Sequence, residues 1–358
     1  MKKKKALIAM SGGVDSSVAA YLTQQAGYEI MGVNMHLFDG KGQEVTGEKS
    51  CCSFKDTLYA NSVAEHLEFS FHVWDYTEEF REMVINNFIR AYETGQTPNP
   101  CIDCNRYLKF KALYDRAEEL GMDCIVTGHY SKIDRDPDTG LYMLHKALDP
   151  SKDQSYVLYN LTQKQLAHTF FPLGGMTKDE TRKIADKMGF INARKPDSQD
   201  ICFVPDGDYS RFIAEETGRE YPCGDFVDEE GNVLGEHKGI IRYTIGQRKG
   251  LGLALPQPMY VKEKDVKNNR VVLCVHEHLF TREFDAVDFN WISGKAPEEQ
   301  VHLNARVRYN QQEQPAVVTP TGEDSVHVCF DKPMRAITKG QAVVLYDGDV
   351  VVGGGTII

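Results

Sequence analysis

The sequence predicts an α/β protein built as an N-terminal doubly wound parallel sheet, then a small β-rich central domain, then a C-terminal β-barrel. Three observations carry this. Up to about Asp206, apolar runs of strand length alternate with stretches of helical periodicity. From about Gly207 the texture turns to short β-rich runs between polar turns, and after about Phe284 every apolar stretch reads as strand. The expected units are therefore residues 1–206, 207–283 and 284–358. Strands that alternate with helices need crossovers, which cover both faces of a parallel sheet and leave ligands to collect at the strands' carboxyl ends.

Taken in order, Ala6–Met10 is an apolar run that ends in Ser11-Gly12-Gly13-Val14-Asp15-Ser16-Ser17 and passes into Val18-Ala19-Ala20-Tyr21-Leu22. It reads as strand, glycine turn, helix. Glycines let the backbone approach an anion, the helix N-terminus offers unpaired N–H groups, and the serines add donors, which together make a phosphate cradle. A Walker A loop needs a longer glycine spacing and a Lys before the Ser/Thr, and neither is present. Beside a polyphosphate the Asp15 carboxylate is repulsive unless Mg²⁺ lies between them, so Asp15 implies a metal–nucleotide complex. The plain alternative is a strand-to-helix turn with a Ser/Asp N-cap.

Glu29–Met35 is the next strand, Cys51-Cys52-Ser53 opens a helical pattern through Leu58, Val63, Ala64 and Leu67, and Phe69–Trp74 is a third strand. Phe80, Val84, Phe88 and Ile89 fall at helical spacing, Lys109–Leu120 gives a further helix and Asp123–Thr127 a further strand. Val33-Asn34-Met35 and Thr127-Gly128-His129-Tyr130 sit at strand ends. There Gly128 offers close backbone approach to a ligand and Met35 a surface for an adenine, with core packing as the alternative for Met35. Thr177-Lys178-Asp179-Glu180 fits a capping box that starts a helix running to about Met188, and Tyr209–Glu216 is the last helical stretch. The turns Glu229–Asn232, Lys267–Asn269 and Tyr346–Asp349 punctuate the β-rich part. Its candidate strands include Val301–Tyr309, Ala316–Thr319, Val326–Phe330 and Ala342–Leu345, which suit a small closed or nearly closed barrel.

The 358 residues suffice for two or three cores. Lys2–Lys5 followed by Ala6–Met10 imitates a signal peptide until Gly12-Gly13 and Asp15 cut the apolar run short, so a cytoplasmic location is expected. No run approaches the roughly 18 apolar residues of a membrane span. Nine cysteines, an odd number, make a disulfide framework a poor expectation and leave buried, metal-binding or catalytic thiols. A net charge of −11 argues against nucleic acid at first sight and passes the question to where Lys and Arg lie.

Thr97-Pro98-Asn99-Pro100-Cys101-Ile102-Asp103-Cys104-Asn105-Arg106 is the second informative stretch. Its prolines stiffen an extended approach and its cysteines are expected on a turn just before a helix, where the dipole would enrich the thiolate. Read alone, Cys-x-x-Cys leaves a redox pair, half a zinc site and chance open. No second such pair or zinc-finger His spacing follows. Downstream, Asp197-Ser198-Gln199-Asp200-Ile201-Cys202-Phe203 sets another cysteine in a polar loop.

Ser-Gly-Gly-Val-Asp-Ser resembles the PP-loop of the ATP pyrophosphatases, adenine nucleotide α-hydrolase-like enzymes that cleave ATP between its α and β phosphates. With Thr-Pro-Asn-Pro, Cys-Asn-Arg followed by Lys109-Phe110, Thr-Gly-His-Tyr, Lys152-Asp153-Gln154-Ser155-Tyr156, Asp-Ser-Gln-Asp-Ile-Cys-Phe and Tyr243-Thr244-Ile245-Gly246-Gln247-Arg248, the whole chain resembles the tRNA-specific 2-thiouridylases. The resemblance implies that the C2 oxygen of a wobble uridine is adenylated by ATP and displaced by persulfide sulfur. Cys202 would carry the persulfide and Cys104 would release its sulfur, ending as a disulfide with it. Cys101 departs from the Asp that many relatives have there. For ATP with Mg²⁺ the resemblance points to Ala9, Met10, Ser11, Gly12, Gly13, Val14, Asp15, Ser16, Met35 and Gly128. For the tRNA anticodon loop it points to Asn99, Pro100, Cys101 and His129 near a flipped base, to Lys152, Asp153 and Gln154, and to Arg308, Tyr309 and Gln341 in the barrel. Lys109, Lys111, Arg242, Arg248, Lys249, Arg306 and Arg308 are candidates for a phosphate-tracking face. The implied partners are tRNA and a cysteine desulfurase or sulfur-relay protein, with no membrane and a monomer expected.

Three readings remain. Besides the thiolase, a PP-loop synthetase or amidotransferase would adenylate another carbonyl, although it leaves Cys104 and Cys202 without a role. A non-catalytic nucleotide or iron–sulfur sensor that binds RNA is the third, because three clustered cysteines are compatible with a cluster holding an open iron site. For Cys51, Cys52, Cys124, Cys223, Cys274 and Cys329 burial is expected.

Overall fold

The computed structural model describes residues 3–39, 54–197 and 201–358, so Cys51-Cys52-Ser53 and Ser198-Gln199-Asp200 lie outside the described residues. Strand β1 (Lys5–Ala9) runs into α1 (Val14–Gln25), followed by β2 (Glu29–His36), α2 (Phe54–His66) and β3 (Ser70–Asp75). Helix α3 (Thr77–Phe80) continues through a π turn, Arg81–Ile85, into α4 (Asn86–Glu93). Phe80, Val84, Phe88 and Ile89 are all buried on it. Helix α5 (Pro100–Asp103) continues through a π stretch, Cys104–Ala112, into α6 (Leu113–Glu119), and β4 (Cys124–Val126) follows. After the hairpin β5 (Lys132–Arg135) and β6 (Tyr142–His145) come α7 (Gln163–Ala167), β7 (Thr169–Phe170) and α8 (Lys178–Lys187).

The sheet has the order β3-β2-β1-β4-β7 and every pairing is parallel. Side-chain alternation divides β1 between two cores. Ala6 and Ile8 join a cluster with Val18, Ala19 and Ala185, while Leu7 joins the opposite one with Val84, Phe88 and Leu108. Burial on both faces is what a helix-covered parallel sheet requires. The Thr177 capping box forms as expected, with Thr177 Oγ1 accepting from Glu180 N at 3.3 Å and Glu180 accepting from Thr177 N at 2.8 Å.

One boundary differs from the sequence reading. The helix expected from Lys109 begins at Pro100, so Cys101 and Cys104 lie within it and not on a turn before it. Asn99 is the reason: its Oδ1 accepts from Cys101 N at 3.2 Å, and Pro100 carries the φ of a first helical residue without an N–H to satisfy.

Past α9 (Tyr209–Thr217), strands β8 (Gly224–Val227), β9 (Val233–His237), β10 (Tyr260–Asp265) and β11 (Arg270–Cys274) form a sheet of order β10-β11-β8-β9. The turns expected at Glu229–Asn232 and Lys267–Asn269 join β8 to β9 and β10 to β11. Strands β12 (Phe280–Trp291), β13 (Val301–Arg306), β14 (Gln314–Pro320), β15 (Ser325–Arg335), β16 (Ala342–Asp347) and β17 (Val350–Ile357) run in the order β12-β15-β14-β13-β16-β17. β17 pairs back onto β12, closing the barrel. Strand β17 also pairs with β6, so the N-terminal hairpin extends the barrel's sheet. Gly353, Gly354 and Gly355 hid β17 from the sequence reading. They are small because a Cβ on Gly354 would lie 2.6 Å from the Tyr159 ring and 2.7 Å from the Val343 carbonyl oxygen.

Polar ties lock the three parts together. Gln341 Nε2 donates to Thr97 O at 2.8 Å, Tyr156 Oη to Ala342 O at 2.8 Å, and Lys264 Nζ to Gln96 O at 3.1 Å. Replacing Gly354 with Ala should therefore lower stability by about 1–3 kcal/mol through overpacking. Urea unfolding of the full chain checks it, and an unchanged midpoint would show that Tyr159 moves aside without cost.

Candidate active site

The turn after β1 is shaped by two glycines that leave no room for a side chain. Gly12 adopts φ +71°, and a Cβ there would collide with the Asp56 backbone at the start of α2. Gly128 meets α1 in the same way: a Cβ would lie 2.8 Å from Asp15 C and Ser16 N. Gly128 thus lets the chain after β4 approach the first turn of α1. Ser16 Oγ and Ser17 Oγ donate to Gly13 O at 3.1 and 3.0 Å, and Asn192 Nδ2 donates to Gly12 O at 3.0 Å. Asn34 Nδ2 holds Met10 O at 2.7 Å. Gly13 caps α1 without a side-chain bond, so no capping side chain occupies the first-turn N–H groups. Ser11 is exposed and Gly13 and Asp15 are half-buried at this mouth, whereas Met10 and Met35 are buried in the two opposite cores. For Met35 the packing alternative holds, because its side chain belongs to the cluster beneath β2.

Asp15 is held by two side chains from elsewhere in the fold. Lys178 Nζ lies 2.6 and 2.8 Å from its two oxygens, and Tyr130 Oη donates to Oδ1 at 2.9 Å. Lys178, at 8% exposure, also reaches Asp197 Oδ1 at 2.8 Å. Asp197 takes Lys152 Nζ and Arg182 Nη2 as well, each at 2.8 Å. Burial would raise the Asp197 carboxyl, but the hydrogen bonds and charges of Lys152 and Lys178 outweigh it and hold it at about 2. These three cations are balanced by Asp15, Asp197 and Asp149, whose Oδ2 accepts from Lys178 N at 3.0 Å. A polyphosphate at the α1 N-terminus would meet free helix N–H groups and cations already paired with carboxylate. Among the described residues no three His, Cys, Asp or Glu side chains gather as a metal site. A resident ion, or a cluster on Cys101, Cys104 and Cys202, therefore finds no support in the ligand geometry. A Mg²⁺ that arrives on phosphate oxygens needs a single carboxylate, and Asp15 fits that role.

Cys101 is exposed in the first turn of α5, whereas Cys104 is buried at 9% exposure. Cys104 belongs to the apolar cluster on the α4 side of the sheet, and Cys202 packs half-buried against the same cluster. Phe203, beside Cys202, is set edge-on against Phe80 and Phe88 with centroids 5.7 and 5.2 Å apart. That cluster is extensive, reaching from Leu7 of the sheet to Val271 of the central domain and Val344 of the barrel, and both thiols border it. Of the cysteines expected to be buried, Cys274 is, Cys124 and Cys329 are half-buried, and Cys223 is exposed. Burial pushes the Cys124 and Cys274 thiols up to about 11.

The residues expected to meet RNA are largely engaged inside the protein. Lys152 is held by Asp197. Asp153 accepts from Ala147 N and Ser155 Oγ at 3.1 and 2.9 Å and faces Arg306 at 3.4 Å. Gln154 Oε1 accepts from Tyr130 N at 3.0 Å. Arg308 Nη2 donates to Ile245 O at 3.1 Å and Thr338 Oγ1 at 2.5 Å. Tyr309 Oη donates to Asp153 O at 3.1 Å, and its ring stands near enough to Cys101 for that thiol's charge to help raise the phenol, after burial, Asp153 and against Arg306. His129 is buried between Phe110 and Phe171, pairs with Thr127 Oγ1 at 2.6 Å, and is kept far below its usual pKa by burial and then by Lys109. Sequence reasoning did not assign Tyr130, Lys178, Arg182, Asn192 or Asp197. Tyr130 and Asp197 already stood in quoted motifs, but Lys178 read only as the residue after a helix cap.

A second finding concerns Asp103, which lines a cavity of about 390 Å³ together with Arg90, Asn99, Tyr159 and Thr356. Burial pushes its carboxyl up to about 7, with Arg106 opposing and Asp288 adding to the rise. Arg106 spans to the barrel, its Nη2 lying 2.8 Å from Asp288 Oδ1.

Fold and site together define a nucleotide-binding α/β domain of the HUP class, joined to two β domains. Three family profiles cover the chain in succession: a tRNA methyl transferase HUP domain at residues 4–206, a tRNA methyl transferase PRC-barrel domain at 210–275 and an aminomethyltransferase beta-barrel domain at 281–357. The protein named tRNA-specific 2-thiouridylase MnmA in Clostridioides difficile (strain 630) is 49% identical over 355 residues, covering 99% of this chain and 98% of that one. Its namesake in Acetivibrio thermocellus is 47% identical over 358 residues, the whole of both chains, and that of Carboxydothermus hydrogenoformans is 48% identical over 357 residues, covering 99% and 98%. The chain belongs to the tRNA-specific 2-thiouridylase family.

An acid whose folded pKa is raised favours folding at low pH and loses that contribution as pH climbs from about 4 to 7. Asp103→Asn should accordingly be more stable than the parent at pH 8, by roughly 1–3 kcal/mol, and nearly equal to it at pH 4.5. Urea unfolding at the two pH values checks this, and equal destabilisation at both would rule out a protonated Asp103.

Proposed function

We propose that the protein is a tRNA-uridine 2-sulfurtransferase that converts ATP to AMP and pyrophosphate while replacing the C2 oxygen of the wobble uridine with sulfur. The observation that carries this is an uncapped helix N-terminus, ringed by Lys178, Arg182 and Lys152, in a chain akin to 2-thiouridylases over its whole length. A carbonyl oxygen is a poor leaving group, so it is first adenylated. Uridine O2 attacks the α-phosphorus of ATP, and pyrophosphate leaves into the Gly12-Gly13 cradle. Magnesium, carried on the phosphates beside Asp15, would supply charge neutralisation there.

Cys202 then serves as persulfide carrier. Its terminal sulfur attacks C2 and AMP departs with the original oxygen, leaving the base joined to Cys202 through that sulfur. Cys104 attacks the Cys202 sulfur, the electron pair stays on the thiouridine, and the two cysteines end as a disulfide that an external thiol reduces. The external sulfur comes from a cysteine desulfurase or relay protein, and a tRNA substrate accords with a cytoplasmic location. The three units proposed are residues 1–206, 207–283 and 284–358.

For the extruded base, exposed Cys101 with Asn99 and nearby Tyr309 offers a contact surface over the buried Pro100, and neutral His129 packs against Phe110 and Phe171. Lys152, Asp153, Gln154, Arg308 and Gln341 act in this reading by positioning that surface. Incubation of unmodified tRNA with ATP, Mg²⁺ and a persulfide source should yield 2-thiouridine by nucleoside mass analysis. Cys104→Ser and Cys202→Ser should each abolish it, at a loss of at least about 100-fold, whereas Cys101→Ser keeps much of it. Full activity in both of the first two variants would remove the proposed roles.

A further inference from the structure

The segment that precedes Cys202 is strapped to the nucleotide cradle. Asn192 Nδ2 donates to Gly12 O at 3.0 Å and to Ser17 Oγ at 2.9 Å. Arg182 Nη1 donates to Ala193 O at 3.4 Å and Lys195 O at 3.2 Å, and Lys195 pairs with Asp56 beneath Gly12. The strap ends at Asp197, five residues before Cys202. Its carboxylate meets three cations, one of which, Lys178, is also the partner of Asp15 inside the first turn of α1.

One ammonium shared by two carboxylates cannot also serve a polyphosphate at full strength. A phosphate in the α1 N-terminus beside Asp15 stands within reach of Lys178 and Arg182, and it offers several anionic oxygens where Asp197 offers two. Each cation drawn to phosphate weakens the hold on Asp197. By reciprocity, whatever holds Asp197 on those cations weakens phosphate binding by the same factor.

We infer that Asp197 is a positioning residue that couples the two halves of the reaction: polyphosphate in the Gly12-Gly13 cradle competes with Asp197 for Lys178 and Arg182, so nucleotide occupancy controls how firmly the Cys202 segment is held. The inference rests on the reading that the cradle takes ATP. Its consequence is an order of events, in which the thiol of Cys202 becomes more available once triphosphate or pyrophosphate is present. Adenosine monophosphate lacks the β and γ phosphates and leaves Asp197 in place.

Two measurements on the full chain in Mg²⁺ buffer test it. Wild type is labelled with iodoacetamide, and the Cys202 peptide is followed by mass spectrometry alone, with inorganic pyrophosphate, with ATP and with AMP. Pyrophosphate and ATP should raise the Cys202 labelling rate at least about 5-fold and AMP should not, the low end of ordinary site-to-site coupling. Calorimetric titration should show that Asp197→Asn binds pyrophosphate at least about 5-fold more tightly than wild type, whereas Asp197→Glu behaves like wild type. An unchanged or lower labelling rate at saturating pyrophosphate overturns the coupling, as does equal or weaker binding by a folded Asp197→Asn. The labelling arm needs no variant and decides the matter even if Asp197→Asn fails to fold. Failure of wild type to bind ATP or pyrophosphate at all would instead overturn the functional reading, and the coupling with it.

Discussion

Everything at the candidate active site depends on how closely three pieces of backbone meet at the start of α1. The Gly12 turn touches Asp56 of α2, and Gly128 after β4 touches Asp15 and Ser16, with no room for a Cβ at either contact. That closeness keeps the loop narrow and leaves the helix N–H groups facing outward. It also brings Tyr130, two residues past Gly128, onto Asp15 and onto Thr181 of α8 at 3.0 Å. Parallel-sheet topology explains why these pieces converge: β1 and β4 are adjacent, and their carboxyl ends open on the same side.

Charge at this mouth is arranged through neutral pairs instead of a bare cationic patch. Lys178 is buried between Asp15 and Asp197, so its side chain is surrounded by opposite charge. The total of −11 does not contradict an anionic substrate, because the cations that matter are local and prepaired. The same economy governs the barrel. Gln341 and Tyr309 hold the C-terminal domain against Thr97 and Asp153, and Arg308 holds it against Ile245 of the central part.

Much of the fold was legible because hydrophobic periodicity and turn chemistry are local. The strand-turn-helix at Ala6–Leu22, the apolar face of Phe80, Val84, Phe88 and Ile89, the Thr177 capping box and three β turns all followed from short-range pattern. What escaped reading was set by contacts between distant residues. Strand β17 was absent from the candidate strands because Gly353–Gly355 answer to Tyr159 and Phe289, which no window around residue 354 contains. The start of α5 was misread because Asn99-Pro100 was taken for an extended approach when its cap geometry already favours a helix. At the site, residue types identified the cradle and the cysteines. The ion pairs joining residues 15, 178 and 197 could not be seen without the fold, and they add a lysine partner to Asp15 that the sequence did not announce.

The two cysteines of Cys101-Ile102-Asp103-Cys104 illustrate how one helix separates chemical duties. With 3.6 residues per turn, positions 101 and 104 are near neighbours along the helix surface. Yet Cys101 is exposed near Tyr309 of the barrel, while Cys104 is buried in the apolar cluster that Cys202 borders. Burial screens the Cys104 sulfur from solvent-borne oxidants, whereas the exposed Cys101 has no such cover. One helix turn thus carries a thiol on the surface and a thiol in the apolar cluster that Cys202 also borders.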